Sequence, residues 1–154
     1  MNKQVLFLLS LLFVMLVSCK NGQKPQSEVN NPFATPVGCV KEYLDARQKQ
    51  DVVRMIKCYS YDPKYETVLR EGIEEQIIKD GDKYSPDATD SYYRTDNVKL
   101  KETYPNSAVV TVYYTLVHKN NKEDDWSDSY DLNVVKDGTN WKMEVRFGLQ
   151  ISSD

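Results

Sequence analysis

Most signatures of a catalytic or metal-binding protein are missing from this sequence. The chain of 154 residues has six glycines and one histidine, His118. It contains no phosphate-binding glycine loop, no zinc-ligand spacing and no serine-nucleophile motif. An acidic stretch from Glu123 to Asp125 lacks the glycine and the terminal glutamate of an EF-hand loop, so we interpret it as a solvated turn. The sequence therefore predicts no cofactor, no metal site and no catalytic residue.

An excess of basic charge is also missing. Lysine and arginine total 20 against 23 aspartates and glutamates, which gives a formal net charge of −3. A nucleic-acid interface needs a basic patch that neutralises phosphates. We therefore expect no nucleic-acid partner. The length is sufficient for one domain with its own core and leaves no room for a second.

The apolar run near the N-terminus is too short for a transmembrane helix, which needs about 20 apolar residues. It extends from Val5 to Val17 and follows a single basic residue, Lys3. A basic start followed by a short apolar run is typical of a secretory signal. The sequence therefore predicts an export signal rather than a membrane-spanning anchor.

The end of this run, Leu16-Val17-Ser18-Cys19, resembles the bacterial lipobox. The resemblance implies that residues 1–18 are a lipoprotein signal peptide and that Cys19 is lipidated as the first residue of the mature protein. The alternative is an ordinary signal peptide with a chance cysteine. Residues 19–35 are mostly polar and have no apolar periodicity, which predicts a flexible tether. We expect the membrane to be a partner through this lipid anchor.

The residue after the candidate lipidation site bears on location. It is Lys20, whereas an aspartate at this place tends to retain the lipoproteins of enteric bacteria in the inner membrane. The resemblance therefore implies the outer membrane of the bacterial cell envelope. The segment also lacks the acidic run that some Bacteroidetes use for surface display, which favours the periplasmic side.

Two further cysteines, Cys39 and Cys58, form an even pair in a chain that we expect to be exported. Disulfides persist in exported proteins, and a bond between these two would stabilise the fold by roughly 3 kcal/mol. Alternatively, both are small buried hydrophobic residues. The sequence leaves the two interpretations open.

Three helices are predicted in the first half of the domain. The dipeptide Thr35-Pro36 has the cap and the first helical residue that a helix start favours. Asp51 and Asp62 are the caps of two further helices, and Asp80-Gly81 ends the third. The first helix has an apolar stripe at helical spacing, made of Val37, Val40, Tyr43, Leu44 and Arg47.

From Tyr92 onward apolar and polar side chains alternate, which predicts strands. The predicted strands cover residues 93–104, 108–118, 126–136 and 141–147, and polar turns connect them in an antiparallel meander. One face of this sheet is apolar and the other is polar, so one face is core and the other is wet. The turns predict two apolar rows, Leu100, Val112, Leu132 and Val145 in one, and Val98, Tyr114, Tyr130 and Phe147 in the next.

This order of elements resembles the NTF2-like fold, also called cystatin-like. The Thr35-Pro36 helix start, the restart at Asp51 and the tryptophan after a glycine turn in Gly138-Thr139-Asn140-Trp141-Lys142 add to the resemblance. More narrowly, the chain resembles small exported bacterial lipoproteins with a DUF4878-type domain. The resemblance implies an α+β domain over residues 36–151, with N-terminal helices packed on a curved four-stranded antiparallel sheet that leaves a conical cup open at one end.

The cup implied by the resemblance would have aromatic walls. Carboxylates beside such walls can have a raised pKa and act as acid or base, as in the isomerases and dehydratases that share the fold. The alternative is that the aspartates lie at strand ends in water, and we expect His118 at the surface. The candidate ligand-pocket residues are Tyr114, Trp126, Tyr130 and Phe147, with Asp96 and Asp128 in the adjoining row.

The sequence therefore leaves three classes of function. The first is a noncatalytic envelope module that binds a small apolar or amphipathic ligand in the cup. The second is a scaffold that pairs with itself, as a homodimer, or with another envelope protein through Tyr113, Thr115 and Val117 of the outer sheet face. The third and weakest is an isomerase or dehydratase. The pattern does not decide between the first two.

Overall fold

The computed structural model describes residues 31–145. The predicted signal peptide, the candidate lipidation site Cys19 and residues 20–30 of the predicted tether lie outside the described residues. Phe147 and the end of the predicted domain, up to residue 151, also lie outside them.

The first helix, α1 (Pro36–Gln48), begins where the sequence predicts. The Thr35 hydroxyl accepts a hydrogen bond from the Gly38 N–H at 3.0 Å, and Pro36 is the first helical residue. This cap provides a partner for an amide of the first turn that has none within the helix. A short 3-10 turn, Pro32–Ala34, precedes the cap. The face of α1 that turns to the core buries Cys39, Val40, Tyr43 and Ala46.

The second helix, α2 (Val52–Lys57), follows a tight connection. Gln50 adopts a φ of 53°, and the Asp51 carboxylate then accepts a hydrogen bond from the Arg54 N–H at 3.0 Å. The predicted restart at Asp51 is therefore present, with the side chain acting as the cap.

The third helix, α3 (Glu66–Asp80), starts later than the sequence indicates. Asp62 caps a separate 3-10 turn, Pro63–Tyr65, which leads into α3. Gly81 ends the helix as predicted, with a φ of 59° that glycine adopts without steric cost. No helix between residues 31 and 145 is both long enough and apolar enough to cross a membrane.

Four long strands form the predicted antiparallel meander, with small shifts at their ends. A fifth, short strand was not predicted and pairs in parallel with the last one, Tyr59 beside Met143. Two residues are too few to show an alternating pattern. The strands are β1 (Tyr59–Ser60), β2 (Ser91–Thr103), β3 (Ser107–His118), β4 (Trp126–Asp137) and β5 (Asn140–Glu144). Their order in the sheet is β1-β5-β4-β3-β2.

The predicted row partners on β2, β3 and β4 are wrong by two residues. Val112 lies between Val98 and Tyr130, whereas the predicted row joins it to Leu100 and Leu132. Because side chains alternate with a period of two, a slip of two keeps the side chains of β3 and β4 on their predicted faces. Between β4 and β5 the register agrees with the prediction.

Two β-bulges interrupt β2, one between Thr95 and Asn97 and one between Leu100 and Glu102. A bulge inserts one unpaired residue and so reverses which residues of the strand share a face. As a result Thr95, rather than Asp96, lies beside Tyr114. No alternating pattern reveals such an insertion.

Helix α1 packs across β2, β3, β4 and β5, while α2 packs on α1 and β1 and α3 packs on α2. Side chains of all three helices belong to one core with the sheet. This confirms the predicted α+β class, with N-terminal helices packed on a curved antiparallel sheet, although the sheet has five strands and not four. The largest fully buried side chains of the core are Met55, Val40, Val110, Val112, Val134, Cys39 and Cys58.

Candidate functional site

A cavity of about 510 Å³ lies between the C-terminal end of α1, the loop after α3 and the inner face of β2, β3 and β4. This volume is in the range of small-molecule sites, which are about 300–1,000 Å³. Tyrosine is the most frequent residue type in the wall. The lining consists of Leu44, Arg47, Gln48, Tyr84, Pro86, Tyr92, Tyr93, Arg94, Thr95, Val112, Tyr114 and Tyr130.

Helical and strand periodicity together direct these side chains to one place. Leu44, Arg47 and Gln48 are three and four positions apart and therefore share a face of α1. Val112 and Tyr114 are alternate residues of β3, so both face the helices. β2 differs, because four consecutive residues, Tyr92 to Thr95, line the cavity just before its first bulge.

Four tyrosines form a chain of ring contacts across the cavity. Tyr84 meets Tyr93 at 5.3 Å between ring centroids, and Tyr93 meets Tyr114 at 5.5 Å. Tyr114 then meets Tyr130 at 5.6 Å. Tilted and edge-to-face contacts at these distances are favourable and hold the rings in defined orientations. The aromatic wall is therefore largely preformed.

The loop after α3 carries Tyr84 to the cavity. The Tyr93 N–H donates to the Lys83 carbonyl at 2.7 Å, which joins this loop to β2. The Arg47 guanidinium lies over the Tyr84 ring, 3.8 Å from its centroid, in a cation–π contact. Helix α1 and the loop are thus in direct contact beside the cavity.

Arg47 is the most constrained polar group of the site. Its Nη2 lies 2.6 Å from the Asp80 carboxylate in an ion pair that is largely shielded from water. Burial lowers its pKa, but Tyr43, Asp80 and Tyr84 outweigh burial, so the net shift is upward and the guanidinium stays charged. Its Nε is buried and has no hydrogen-bond partner within residues 31–145.

Burial raises the pKa of three cavity tyrosines, Tyr84, Tyr114 and Tyr130, so their hydroxyls stay protonated at neutral pH. For Tyr130 the pKa rises to about 12 although the charge of Arg47 opposes the shift. For Tyr114 the pKa rises through burial and then through the charge of Asp128. These three tyrosines therefore present neutral hydroxyls in a wall that also contains two arginines, Arg47 and Arg94.

The predicted pocket residues have different outcomes. Tyr114 and Tyr130 line the cavity, whereas Phe147 lies outside the described residues. Trp126 contacts Tyr114 edge to face at 5.8 Å and is 43% exposed. Asp128 is exposed and pairs with Tyr114 across β3 and β4, so it lies near the aromatic wall without lining the cavity.

Asp96 is not beside the aromatic rows, where the sequence predicts it. Its carboxylate accepts a hydrogen bond from the Thr115 hydroxyl at 2.6 Å and another from the Arg94 Nε at 2.8 Å. Thr115 belongs to the outer face of β3, so Asp96 does too. The cause is the bulge in β2, and the hydrogen bonds lower the pKa of Asp96.

The candidate interface residues lie on the same outer face but differ in their exposure to solvent. Tyr113 is 40% exposed, with the Lys99 ammonium 5.4 Å from its ring centroid. Thr115 is buried between Asp96 and Ser127, whose hydroxyl lies 2.8 Å away. Val117 is half-buried. Tyr113 is therefore the member of this group that offers most surface to a partner.

Cys39 and Cys58 are free thiols in the structure, rather than the disulfide that the sequence allowed. Both are fully buried in the core. The Cys39 thiol is 3.7 Å from the Cys58 carbonyl, and the Cys58 thiol is 3.3 Å from the Arg54 carbonyl. Burial raises the pKa of both, so they act as small buried hydrophobic residues.

His118 and the acidic turn do not contribute to the cavity. The His118 N–H donates to the Asp125 carboxylate at 2.6 Å, which closes the turn between β3 and β4. The turn itself is a short 3-10 segment, Lys122–Asp124, capped by Asn121. Between residues 31 and 145, no three potential acidic, histidine or cysteine ligands gather as a metal site would require.

Sequence reasoning missed much of the cavity wall. Arg47 belongs to the predicted stripe of α1, and a charged residue in an apolar stripe is a signal that could have identified it. Tyr84 lies in a loop without periodicity, so nothing in its spacing indicates a site. Tyr93 belongs to a predicted strand, but the bulge that determines its face could not be predicted.

No protein-family model matches the sequence, and no curated protein matches it. Among solved structures, the chain is similar to a protein of unknown function with a cystatin-like fold from Nostoc punctiforme, with 16% identity, 73% of this chain and 89% of that chain covered, and a TM-score of 0.44. It is also similar to an NTF-2 like protein of unknown function from Shewanella oneidensis, with 13% identity, coverages of 70% and 89%, and a TM-score of 0.44. A third is an NTF2-like superfamily protein from Salmonella enterica, with 14% identity, coverages of 75% and 92%, and a TM-score of 0.40.

Proposed function

We propose that this chain is a noncatalytic binding module whose tyrosine-lined cavity holds a small apolar or amphipathic ligand. The observation that carries the proposal is the cavity of about 510 Å³ at the end of α1. Leu44 and Val112 give it apolar surface, and the tyrosines offer both ring faces and hydroxyls. Such a mixture suits a ligand with an apolar body and a few polar groups.

The proposal is noncatalytic because the candidate acid–base groups are elsewhere. General acid–base catalysis needs a titratable group within hydrogen-bond reach of the reacting atoms. Asp96 faces away from the cavity and Asp128 is exposed. His118 ends β3, where its N–H donates to Asp125, and it does not line the cavity. Of the residues between 31 and 145 that line the cavity, none is an aspartate, a glutamate or a histidine.

We also propose that Cys19 is lipidated and keeps the module on the periplasmic face of the outer membrane. The support is the lipobox-like Leu16-Val17-Ser18-Cys19 after a short apolar run. Cys19→Ala should abolish labelling by a fatty-acid analogue and release the protein from the membrane fraction. A variant that is still labelled and still membrane-bound would contradict the anchor.

The ligand proposal is tested by native mass spectrometry of the full chain, purified from its own host in a mild detergent. A retained small molecule should appear as additional mass on the protein. Tyr114→Ala should release it, because Tyr114 contacts two other aromatic rings of the cavity wall, Tyr93 and Tyr130, and the wall opens without it.

The neighbouring residue provides a matched control. Tyr113→Ala removes the same side chain from the outer face of the same strand. We expect it to keep the bound mass. Thermal unfolding of both variants shows whether they are folded. Loss of the bound mass in both variants, or in neither, would contradict a ligand in the cavity.

A scaffold function is the second candidate, favoured by the exposed Tyr113 ring on the outer sheet face. The same mass spectrum distinguishes it. An empty dimer, or an envelope protein that copurifies, together with its loss in Tyr113→Ala, would favour pairing through this face. An empty monomer would contradict both candidates.

A further inference from the structure

Arg47 gives the cavity a positive charge that its own lining does not neutralise. No aspartate or glutamate is among the lining residues described between 31 and 145. The carboxylate partner, Asp80, lies at the end of α3 and outside the lining. The positive charge therefore borders the open volume, while the negative charge lies behind it.

Arg47 also has unused hydrogen-bonding capacity. Its ion pair with Asp80 uses Nη2, at 2.6 Å, whereas its buried Nε has no partner within residues 31–145. The hydrogen bond to Asp80 therefore uses only part of the donor capacity of the guanidinium. A guanidinium presents its donors as a planar fork that matches a carboxylate.

Arg94, the other arginine of the lining, is placed differently. Its Nε donates to Asp96 at 2.8 Å, and Asp96 also binds Thr115 on the outer face. The Arg94 side chain is 55% exposed. Water therefore screens the charge of Arg94 more than that of Arg47, whose side chain is 16% exposed.

The electrostatic surroundings of two tyrosines indicate which end of the cavity suits an anion. The charge of Arg47 opposes the rise that burial causes in the pKa of Tyr130. Asp128 acts on Tyr114 and raises its pKa further. An anionic group is thus favoured at the Arg47 end and disfavoured near Asp128.

We infer that the ligand of this cavity carries a carboxylate that binds Arg47, while its aromatic or apolar body lies against the tyrosine rings. The inference rests on the proposed ligand-binding function and adds the chemical class of the ligand. It is carried by the position of Arg47 in the lining, the location of Asp80 outside the lining and the contact of Arg47 with Tyr84.

The test compares two compounds of nearly equal shape, naphthalene-1-acetate and naphthalene-1-acetamide. Isothermal titration calorimetry measures both against the full chain in a nonionic detergent, with titration into detergent alone as the reference. We expect the acetate to bind about tenfold more tightly, because a hydrogen bond to a charged partner is stronger than a neutral one.

The variants locate the source of this preference. Arg47→Met should abolish the tenfold preference while the amide still binds. Arg70→Met, which removes an arginine of α3 that does not line the cavity, should keep the preference. Because Arg47→Met also removes an ion pair, thermal unfolding must show that it is folded. Asp80→Asn is a second, milder variant, which should increase the preference severalfold because it removes a competing carboxylate from Arg47.

The outcomes separate this inference from the proposed function. Equal affinities for the two compounds, both lost in Tyr114→Ala, would overturn the carboxylate and leave a binding cavity. A preference for the acetate that neither Arg47→Met nor Asp80→Asn changes would also overturn it. Failure of both compounds to bind would contradict the proposed function itself and the inference with it.

Discussion

Helix α1 borders two parts of the molecule that are built differently. Toward its N-terminus, which we call the closed end, Cys39 and Val40 are fully buried against the β4 and β5 side chains Val134 and Met143. Toward its C-terminus, the open end, Leu44 and Arg47 border the cavity of about 510 Å³. The same helix thus completes a packed core and forms one wall of an open space.

The difference follows from the side chains that each end supplies. The closed end has thiols and unbranched or small aliphatic side chains, which pack closely without leaving voids. The open end has tyrosine rings in edge-to-face and tilted contacts, and an arginine in an ion pair with Asp80. We therefore expect stability to depend mainly on the closed end and ligand binding mainly on the open end.

The largest predicted effect tests the closed end. Met143→Ala should lower the free energy of unfolding by about 3 kcal/mol, because it creates a cavity in a packed core. Met143 is 4% exposed. Denaturant unfolding followed by circular dichroism measures the change.

Leu44→Ala is the corresponding change at the open end. Leu44 is half-buried and borders the existing cavity, so we expect a loss of only about 1 kcal/mol. Equal losses for the two variants would contradict the distinction between the ends.

The next prediction concerns Gly38, where the 3-10 turn before α1 packs on the helix. A Cβ there would lie 2.2 Å from the Pro32 carbonyl oxygen, and this backbone atom cannot move freely. Gly38→Ala should therefore cost about 2 kcal/mol in the free energy of unfolding, as overpacked cores do.

Gly72 of α3 is the matched control, because a Cβ added there would have no other atom within 4 Å. Gly72→Ala should stabilise the protein by about 0.5–1 kcal/mol through helix propensity. A neutral Gly38→Ala variant would indicate that the closed end is less tightly packed than described.

The buried thiols make the closed end sensitive to alkaline pH. Burial raises the pKa of Cys39 from 9.0 to about 11, and burial with the nearby Cys39 raises the pKa of Cys58 to about 12. Above pH 9 the unfolded chain loses these protons while the folded chain retains them. The free energy of unfolding should therefore fall as pH rises from 8 to 10, by on the order of 2 kcal/mol.

The control for the pH prediction is the double variant Cys39→Ala and Cys58→Ala. Its stability at pH 8 will differ from that of the parent, so the slope between pH 8 and 10 is the quantity to compare. We expect a flatter slope in the variant. Equal slopes would show that the thiols do not determine the alkaline loss.

Much of the fold could be predicted from the sequence because its signals are local. The caps at Thr35 and Asp51 and the stop at Gly81 are decided by neighbouring residues, and the structure has all three. Register depends on contacts between distant residues, and so the predicted rows through Val112 are shifted by two. A shift of two residues leaves each side chain on the same face, so the buried face of β3 and β4 was still predicted correctly.

The site was less predictable because single insertions and loops determine it. One unpaired residue in β2 removes Asp96 from the aromatic wall and brings Thr95 beside Tyr114. Tyr84 reaches the cavity through a loop that has no periodic pattern. Sequence patterns therefore identify Tyr114 and Tyr130, which lie on regular strands, and miss the residues that complete the wall.

The smallest predicted effect returns to the open end. Tyr130→Phe should change the free energy of unfolding by less than about 0.5 kcal/mol, because no side chain described between residues 31 and 145 forms a hydrogen bond with its hydroxyl and the ring itself remains. Denaturant unfolding at pH 7 measures this change beside that of Met143→Ala. A loss above about 1 kcal/mol would mean that the hydroxyl is bonded within the fold and that this part of the cavity wall is closed. A small change would instead leave the hydroxyl available to a ligand, as the open end requires.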